Sequence, residues 1–383
     1  MEAYLDNAAT TQCLQAAAGR MVEVLTGDYG NPSSLHRKGM EAEAYLRSAR
    51  KTIAKTLKVM EKEIIFTSGG TESNNLAIFG AAHAKRRQGR HVVTTMIEHP
   101  SVNNPMAALE EEGFEVTYLP VDEAGVIRLE QLKDALREDT VLVSIMHVNN
   151  EIGAVEPVEE IGQIVHEEAK KAVFHVDAIQ SYGKLALYPK RCGVNLLSVS
   201  GHKLHGPKGS GFLYVDDNTR IVPILYGGGQ EQSLRSGTEN VAAIAGLEVA
   251  VEEIFSHIRE SRERMYELRQ IFLDGLSDLG DNRVFGSKEQ AAPHIISVSF
   301  SGIRSEVLLH ALEEKGIYVS AGSACSSNRP AKSRTLMAIG ASDEALESTV
   351  RFSISDQTTK EELAYALEVL KELTPRLRMF QRR

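Results

Sequence analysis

The chain has 383 residues, 42% of them hydrophobic and 25% charged, with a formal net charge of −9. That length exceeds one ordinary core and predicts a large domain with a smaller companion, in a composition typical of soluble globular proteins. The negative balance argues against a general nucleic-acid or membrane binder, although the basic stretch Arg376 to Arg383 can serve a particular partner or simply form a solvated helix end.

The opening residues Met1-Glu2-Ala3-Tyr4-Leu5-Asp6 carry neither a basic n-region nor an apolar run, so no signal peptide or membrane span is expected and the protein reads as cytoplasmic. Residues 1 to 14 form an extended arm, and a short helix then runs through Val24 and stops near Gly27 and Gly30. An amphipathic helix follows, with Leu46, Ala49, Ile53 and Leu57 on one face. From Glu63 onward, strands alternate with helices. The strands are Ile64 to Thr67, His91 to Met96, Glu115 to Leu119, Val141 to Val148, Val173 to Val176, Leu196 to Val199 and Gly211 to Val215. Apolar, β-branched strands spaced by helical patterns predict an α/β fold with a mostly parallel seven-stranded sheet covered on both faces, and ligands at the carboxyl ends of its strands.

From Glu239 to about Leu279 a helical pattern exceeds the usual helix length, which predicts a bend or break where two domains meet. Beyond it, the strand Ile295 to Phe300, the helix Ser305 to Lys315, the strands Tyr318 to Ala321 and Val350 to Ile354, and the helix Lys360 to Leu373 predict a compact α+β unit. The expected division is residues 15–255 for the large domain, and 1–14 with 256–383 for the small one. Cys13, Cys192 and Cys325 are odd in number and far apart, so neither a disulfide framework nor a zinc site is expected, and any cysteine that matters acts as a single thiol.

Four strand ends carry polar clusters. Ser68-Gly69-Gly70-Thr71-Glu72 is a glycine turn opening a helix, suited to a phosphate or to plain capping. His99 follows the second strand, where a histidine is structural or stacks on a flat cofactor. Asp177 closes an apolar strand, with Gln180 three residues on; it either caps the next segment or pairs with a cation such as a pyridinium N–H. Lys203 stands in Ser200-Gly201-His202-Lys203, just past a buried strand, where an amine among hydroxyl, imidazole and backbone donors can form an imine with an aldehyde cofactor. In the small unit, Cys325 lies among small polar residues where a thiol is reachable. Arg351 on its strand is either a surface cation or a fork for a substrate carboxylate. A lysine, an acid, a histidine and two phosphate turns together form the set that pyridoxal phosphate requires.

Tyr4-Leu5-Asp6-Asn7-Ala8-Ala9-Thr10-Thr11, Gly30-Asn31-Pro32-Ser33-Ser34, Thr67-Ser68-Gly69-Gly70-Thr71-Glu72, Asn149-Asn150-Glu151, Asp177-Ala178-Ile179-Gln180, Ser200-Gly201-His202-Lys203, Arg235-Ser236-Gly237-Thr238 and Gly322-Ser323-Ala324-Cys325 resemble the cysteine desulfurases, fold type I pyridoxal-phosphate enzymes of the class V aminotransferase group. The resemblance runs in register from Tyr4 to about Arg351. It implies that Lys203 binds the cofactor aldehyde, Asp177 the pyridine nitrogen and Gln180 the ring hydroxyl, while His99 stacks on the ring and assists proton transfer. Gly70, Thr71, Ser200 and His202 would hold the phosphate, joined by Thr238 from the partner of a homodimer, and Asn150 would lie against the cofactor. Arg351 and Asn31 would bind the substrate.

The implied reaction converts L-cysteine to L-alanine and leaves a persulfide on Cys325, whose thiolate forms with help from His99. An acceptor protein for iron–sulfur assembly or tRNA thiolation then takes the sulfur. No permanent metal is implied, although Cys325 can transiently ligate an iron–sulfur cluster. A selenocysteine lyase, another lyase of the group and a silent sulfur-transfer scaffold are the rival readings. The chain departs from the family at Ile354-Ser355-Asp356-Gln357, where a leucine, a glycine and a basic residue are usual, and at Gly70, where alanine is common.

Overall fold

The computed structural model describes residues 1–287, 290–321 and 332–381. After a two-residue strand β1 (Ala3–Tyr4), the alternating region supplies β2 (Ile64–Thr67), β3 (His91–Thr95), β4 (Glu115–Leu119), β5 (Thr140–Met146), β6 (Val173–Asp177), β7 (Leu196–Ser200) and β8 (Gly211–Val215). They form one seven-stranded sheet in the order β2-β8-β7-β6-β5-β3-β4. The β3–β4, β3–β5, β5–β6 and β6–β7 pairs are parallel, whereas β8 is antiparallel to both of its neighbours. The reason lies in the connections. Parallel partners need a crossover of a dozen or more residues, and only residues 201–210 join β7 to β8. That short return contains Lys203.

Alternate strand residues feed two apolar layers, as a period of two requires. Phe66, Val143, Phe174, Val199 and Tyr214 pack with the helices Arg37–Leu57, Val158–Glu168 and Val241–Ser256. Ile65, Val92, Leu142, Leu196 and Leu213 pack on the other side with Gly70–Lys85 and Pro100–Glu111. Each fully buried Leu, Val or Phe contributes roughly 1.5–3 kcal/mol, so the sheet is a rigid platform for what projects from its ends. The long helical run breaks at His257 (φ −140°, ψ 26°) into Val241–Ser256 and Ile258–Ser277.

A second sheet contains β9 (Asn282–Phe285), β10 (Ile295–Phe300), β12 (Ser320–Ala321) and β13 (Thr349–Ser353) in the order β12-β13-β10-β9, while β11 (Ile317–Tyr318) pairs with β1. Phe272, Phe300 and Phe352 centre its own apolar cluster. The structure differs from expectation in three places. The single strand expected from Tyr318 to Ala321 is two, because Tyr318 pairs with Tyr4 whereas Ser320 pairs with Arg351. The edge strand β9 was not foreseen, and the last helix, Lys360–Gln381, continues through Pro375. Among the described residues, no helix is long and apolar enough to cross a membrane.

Candidate active site

At the carboxyl end of the large sheet lies a cavity of about 280 Å³. Gly70, Thr71, His99, Asn150, Asp177, Gln180, Ser200, His202, Lys203 and Arg351 all line it. Residues spread over most of the chain therefore converge because their strands end side by side. Asn31 and Thr238 do not reach the cavity. Thr238 lines a neighbouring pocket with Thr67 and Ser68, and Asn31 is exposed, its Oδ1 accepting the Ser33 N–H at 3.0 Å. Cys325 lies outside the described residues.

Lys203 closes a 3₁₀ turn, Gly201–Lys203, directly after β7. Its Nζ donates to the carbonyls of Ala8 and Ala9 at 2.6 and 2.7 Å. The arm carrying those carbonyls is tied to the same turn, since Thr11 N–H donates to His202 O at 2.9 Å and His205 N–H donates to Thr11 Oγ1 at 2.7 Å. Lys184 braces the turn from behind, its Nζ donating to Lys203 O at 2.8 Å; burial lowers its pKa to about 8.

Asp177 ends β6 and is buried. Its Oδ1 accepts the Ile179 N–H at 3.0 Å and its Oδ2 accepts from Asn74 Nδ2 at 2.8 Å. Loss of water nevertheless outweighs these donors and raises its pKa, so the carboxylate is ionised more easily once a cation faces it. Gln180 donates to Ala8 O at 2.9 Å and receives His294 Nε2 at 3.3 Å. His99 is the N-cap of Pro100–Glu111, and desolvation holds its imidazole below the ordinary histidine range. His202 is lowered further, to about 4, first by desolvation and then by Lys203, Lys208 and Lys184.

Arg351 reaches the cavity from β13. It is paired with Asp6 Oδ1 at 2.9 Å, and it also donates to Ser320 Oγ at 3.0 Å and Asn150 O at 2.8 Å. This guanidinium thus ties the second sheet to the rim of the first.

The Aminotransferase class-V family model matches residues 3–365. The chain belongs to the class-V aminotransferase family. It is 43% identical over 376 residues to the putative cysteine desulfurase IscS 1 of Bacillus subtilis (strain 168), covering 98% of this chain and 99% of that one. It is also 43% identical to the cysteine desulfurase IscS of Dictyoglomus turgidum, covering 98% and 95%. Among solved structures, a NifS-like protein superposes with a TM-score of 0.93 at 38% identity, covering 98% of this chain and all of that one. A structure titled SspA in complex with cysteine gives 0.83 at 36% identity, covering 93% of this chain.

Class-V enzymes of this kind use pyridoxal phosphate, and the cavity fits that group. Ser200 Oγ is buried without a hydrogen-bond partner among the described residues, an arrangement costly unless a ligand oxygen completes it. It faces the start of helix Gly70–Lys85, where Gly69 has φ 144° and an added Cβ would stand 3.4 Å from Ser200 Oγ. Unspent helix N–H groups, a bare hydroxyl and a cationic lysine form an anion cradle. Asp177 is a buried carboxylate acceptor of the kind a ring N–H requires.

Several contributors carried no sequence signal of their own. Asn74 and Ser101 stand behind Asp177 and His99. Glu98 is fully buried, accepts from Thr95 Oγ1 at 2.8 Å and Met146 N–H at 2.9 Å, and is pushed well above the carboxylate range by burial. It joins the ends of β3 and β5. Such groups look like ordinary polar residues until their partners are known.

Proposed function

We propose that this chain is a pyridoxal-phosphate-dependent L-cysteine desulfurase that releases L-alanine and passes the sulfur on through a persulfide for iron–sulfur cluster assembly. The observation that carries the reading is the convergence of Lys203, Asp177, His99 and the partnerless Ser200 hydroxyl on one cavity, in a chain whose curated relatives are named cysteine desulfurases.

Bound there, pyridoxal phosphate supplies an aldehyde for amines and an electron sink for the bonds at the amine-bearing carbon. Lys203 Nζ would hold the aldehyde and, as a free amine, take and return protons. Asp177 would hold the ring nitrogen in its protonated state, which strengthens the sink. Gln180 has one amide hydrogen left after Ala8 for the ring hydroxyl. Gly70, Thr71, Ser200 and His202 would hold the phosphate. Arg351 would take the substrate carboxylate, exchanging part of its bond to Asp6 for that ligand. Cys325 would attack the substrate sulfur as a thiolate; an S–S bond forms as the C–S bond breaks, and the departing carbon is protonated to give alanine.

The same reading takes residues 15–255 as the cofactor-holding domain and 1–14 with 256–383 as the domain that brings Cys325. A homodimer is part of it. Thr238 and Asn31 stand away from their own cavity, and Leu35 and Tyr226 are 97% and 82% exposed, which supports a partner copy covering them. The sulfur acceptor is a protein of iron–sulfur assembly or tRNA thiolation, and the enzyme works in the cytoplasm.

The purified protein loaded with pyridoxal phosphate should be yellow and should release equal amounts of alanine and sulfide from cysteine with a reductant present. Lys203→Ala should abolish both products. Cys325→Ala should keep the colour and lose sulfide release. A colourless protein after loading, or full sulfide release by Cys325→Ala, overturns the cofactor reading and the persulfide reading respectively.

A further inference from the structure

The hydrogen bonds behind His99 determine where its proton sits. An ionised Asp177 only accepts, so Asn74 must turn its amide nitrogen toward Oδ2, at 2.8 Å. The same Nδ2 lies 2.9 Å from Ser101 Oγ, and its second hydrogen goes there. Ser101 Oγ, having accepted, has its own hydrogen to give, and His99 Nδ1 stands 2.8 Å away. The Ser101 backbone N–H reaches the same nitrogen at 3.1 Å. Two donors on Nδ1 leave no room for a proton there, so the neutral ring carries its hydrogen on Nε2.

We propose that Asn74 and Ser101 are positioning residues that hold His99 as the Nε2–H tautomer, so that the imidazole meets cofactor and substrate as a neutral hydrogen-bond donor and not as the base for a thiol proton. Nε2 then has no lone pair to offer, and the lone pair of Nδ1 is taken. The surroundings agree. His99 caps a helix N-terminus, whose partial positive charge disfavours imidazolium. Of the charged groups that face it, Lys203 from the turn after β7 disfavours a second proton and Asp177 from β6 favours one, with desolvation the largest influence. In this proposal proton removal falls to the Lys203 amine, and the thiolate of Cys325 forms through local stabilisation and not through proton removal by His99.

The tautomer rests on these hydrogen bonds alone, while its meaning for the reaction rests on the proposed desulfurase function. The test uses holoenzyme containing ¹⁵N-histidine, with the His99 signals assigned through His99→Gln. Wild type should show a pyridine-type Nδ1 and a pyrrole-type Nε2 throughout neutral pH. Ser101→Ala, which removes the hydroxyl and leaves the backbone N–H as the one donor to Nδ1, should shift the Nδ1 resonance, admit a minor Nδ1–H population and raise the imidazole pKa by about one pH unit. Asn74→Ala should do the same, and Ser101→Thr should restore the wild-type spectrum. The acid limb of the kcat profile for sulfide release should move upward with the imidazole. A pyrrole-type Nδ1 in wild type, or Ser101→Ala spectra identical to wild type, overturns the proposal. Tautomer shifts as expected in a protein that leaves cysteine untouched would instead overturn the desulfurase reading and leave the positioning role standing.

Discussion

Ser200→Ala should act in opposite senses on the protein without cofactor and on its affinity for pyridoxal phosphate. Ser200 is 1% exposed and its Oγ has no partner among the described residues. Burying an unsatisfied hydroxyl costs roughly 1–3 kcal/mol, so its removal should leave the cofactor-free fold as stable as before or up to ~1 kcal/mol more stable. In the proposed phosphate site the same hydroxyl would donate to a charged oxygen, a bond worth about 1.5–3 kcal/mol. Cofactor affinity should therefore fall roughly 10- to 100-fold, at about 1.4 kcal/mol per decade. Urea midpoints of the stripped protein give the first quantity, and visible-absorption titration with pyridoxal phosphate gives the second. A stripped protein destabilised by more than ~1 kcal/mol, with unchanged affinity, would show that the hydroxyl serves the fold and that the phosphate cradle is misplaced.

Gly70→Ala should weaken cofactor binding, because its Cβ would fall inside contact distance of Ile179 Cδ1 and push that side chain into the cavity both residues line. Adding Ile179→Val should restore affinity; if the single variant binds as wild type, the crowding argument fails. Glu231→Ala should cost about 3–5 kcal/mol in urea denaturation, since the carboxylate is buried, pairs with both terminal nitrogens of Arg50 at 2.8 and 3.0 Å, and accepts the Phe66 N–H at 2.7 Å. A loss below ~1 kcal/mol would mean that Arg50 finds water readily. Acid should destabilise the fold through its buried histidines. Desolvation lowers His147 to about 4 and His175 to about 3, while an unfolded histidine titrates near 6.5. Their contribution is complete above about pH 6.5 and is lost as pH falls toward 4 and 3, because the unfolded chain then binds protons that the folded one refuses. Stability measured by urea at successive pH values should decline over that window, with a shallower slope in His175→Gln; a flat profile would refute it.

Lys203, Asp177 and His99 were legible in the sequence because each stands at the end of an apolar, β-branched run, and a parallel sheet places such ends together. Asn74, Ser101 and Glu98 were not, because each also bonds across to a distant element, Asn74 to Ser101 and Asp177, and Glu98 to Met146. Arg351 is intermediate. Its strand was legible, but its pairing with Asp6 joins residues 345 positions apart and depends on β13 lying against the N-terminal arm.

The order of residues by itself determined the α/β class, most strand positions and which chemical groups stand at their ends, since periodicity and strand termination are local properties of the chain. Tertiary structure alone decided that Tyr318 and Ser320 pair with different strands, that Lys203 meets the carbonyls of Ala8 and Ala9, and that Asn74 joins Ser101 to Asp177. The Ser101 donors beside His99 are local, but Asn74, which orients the hydroxyl, reaches Ser101 and Asp177 only once distant segments have packed.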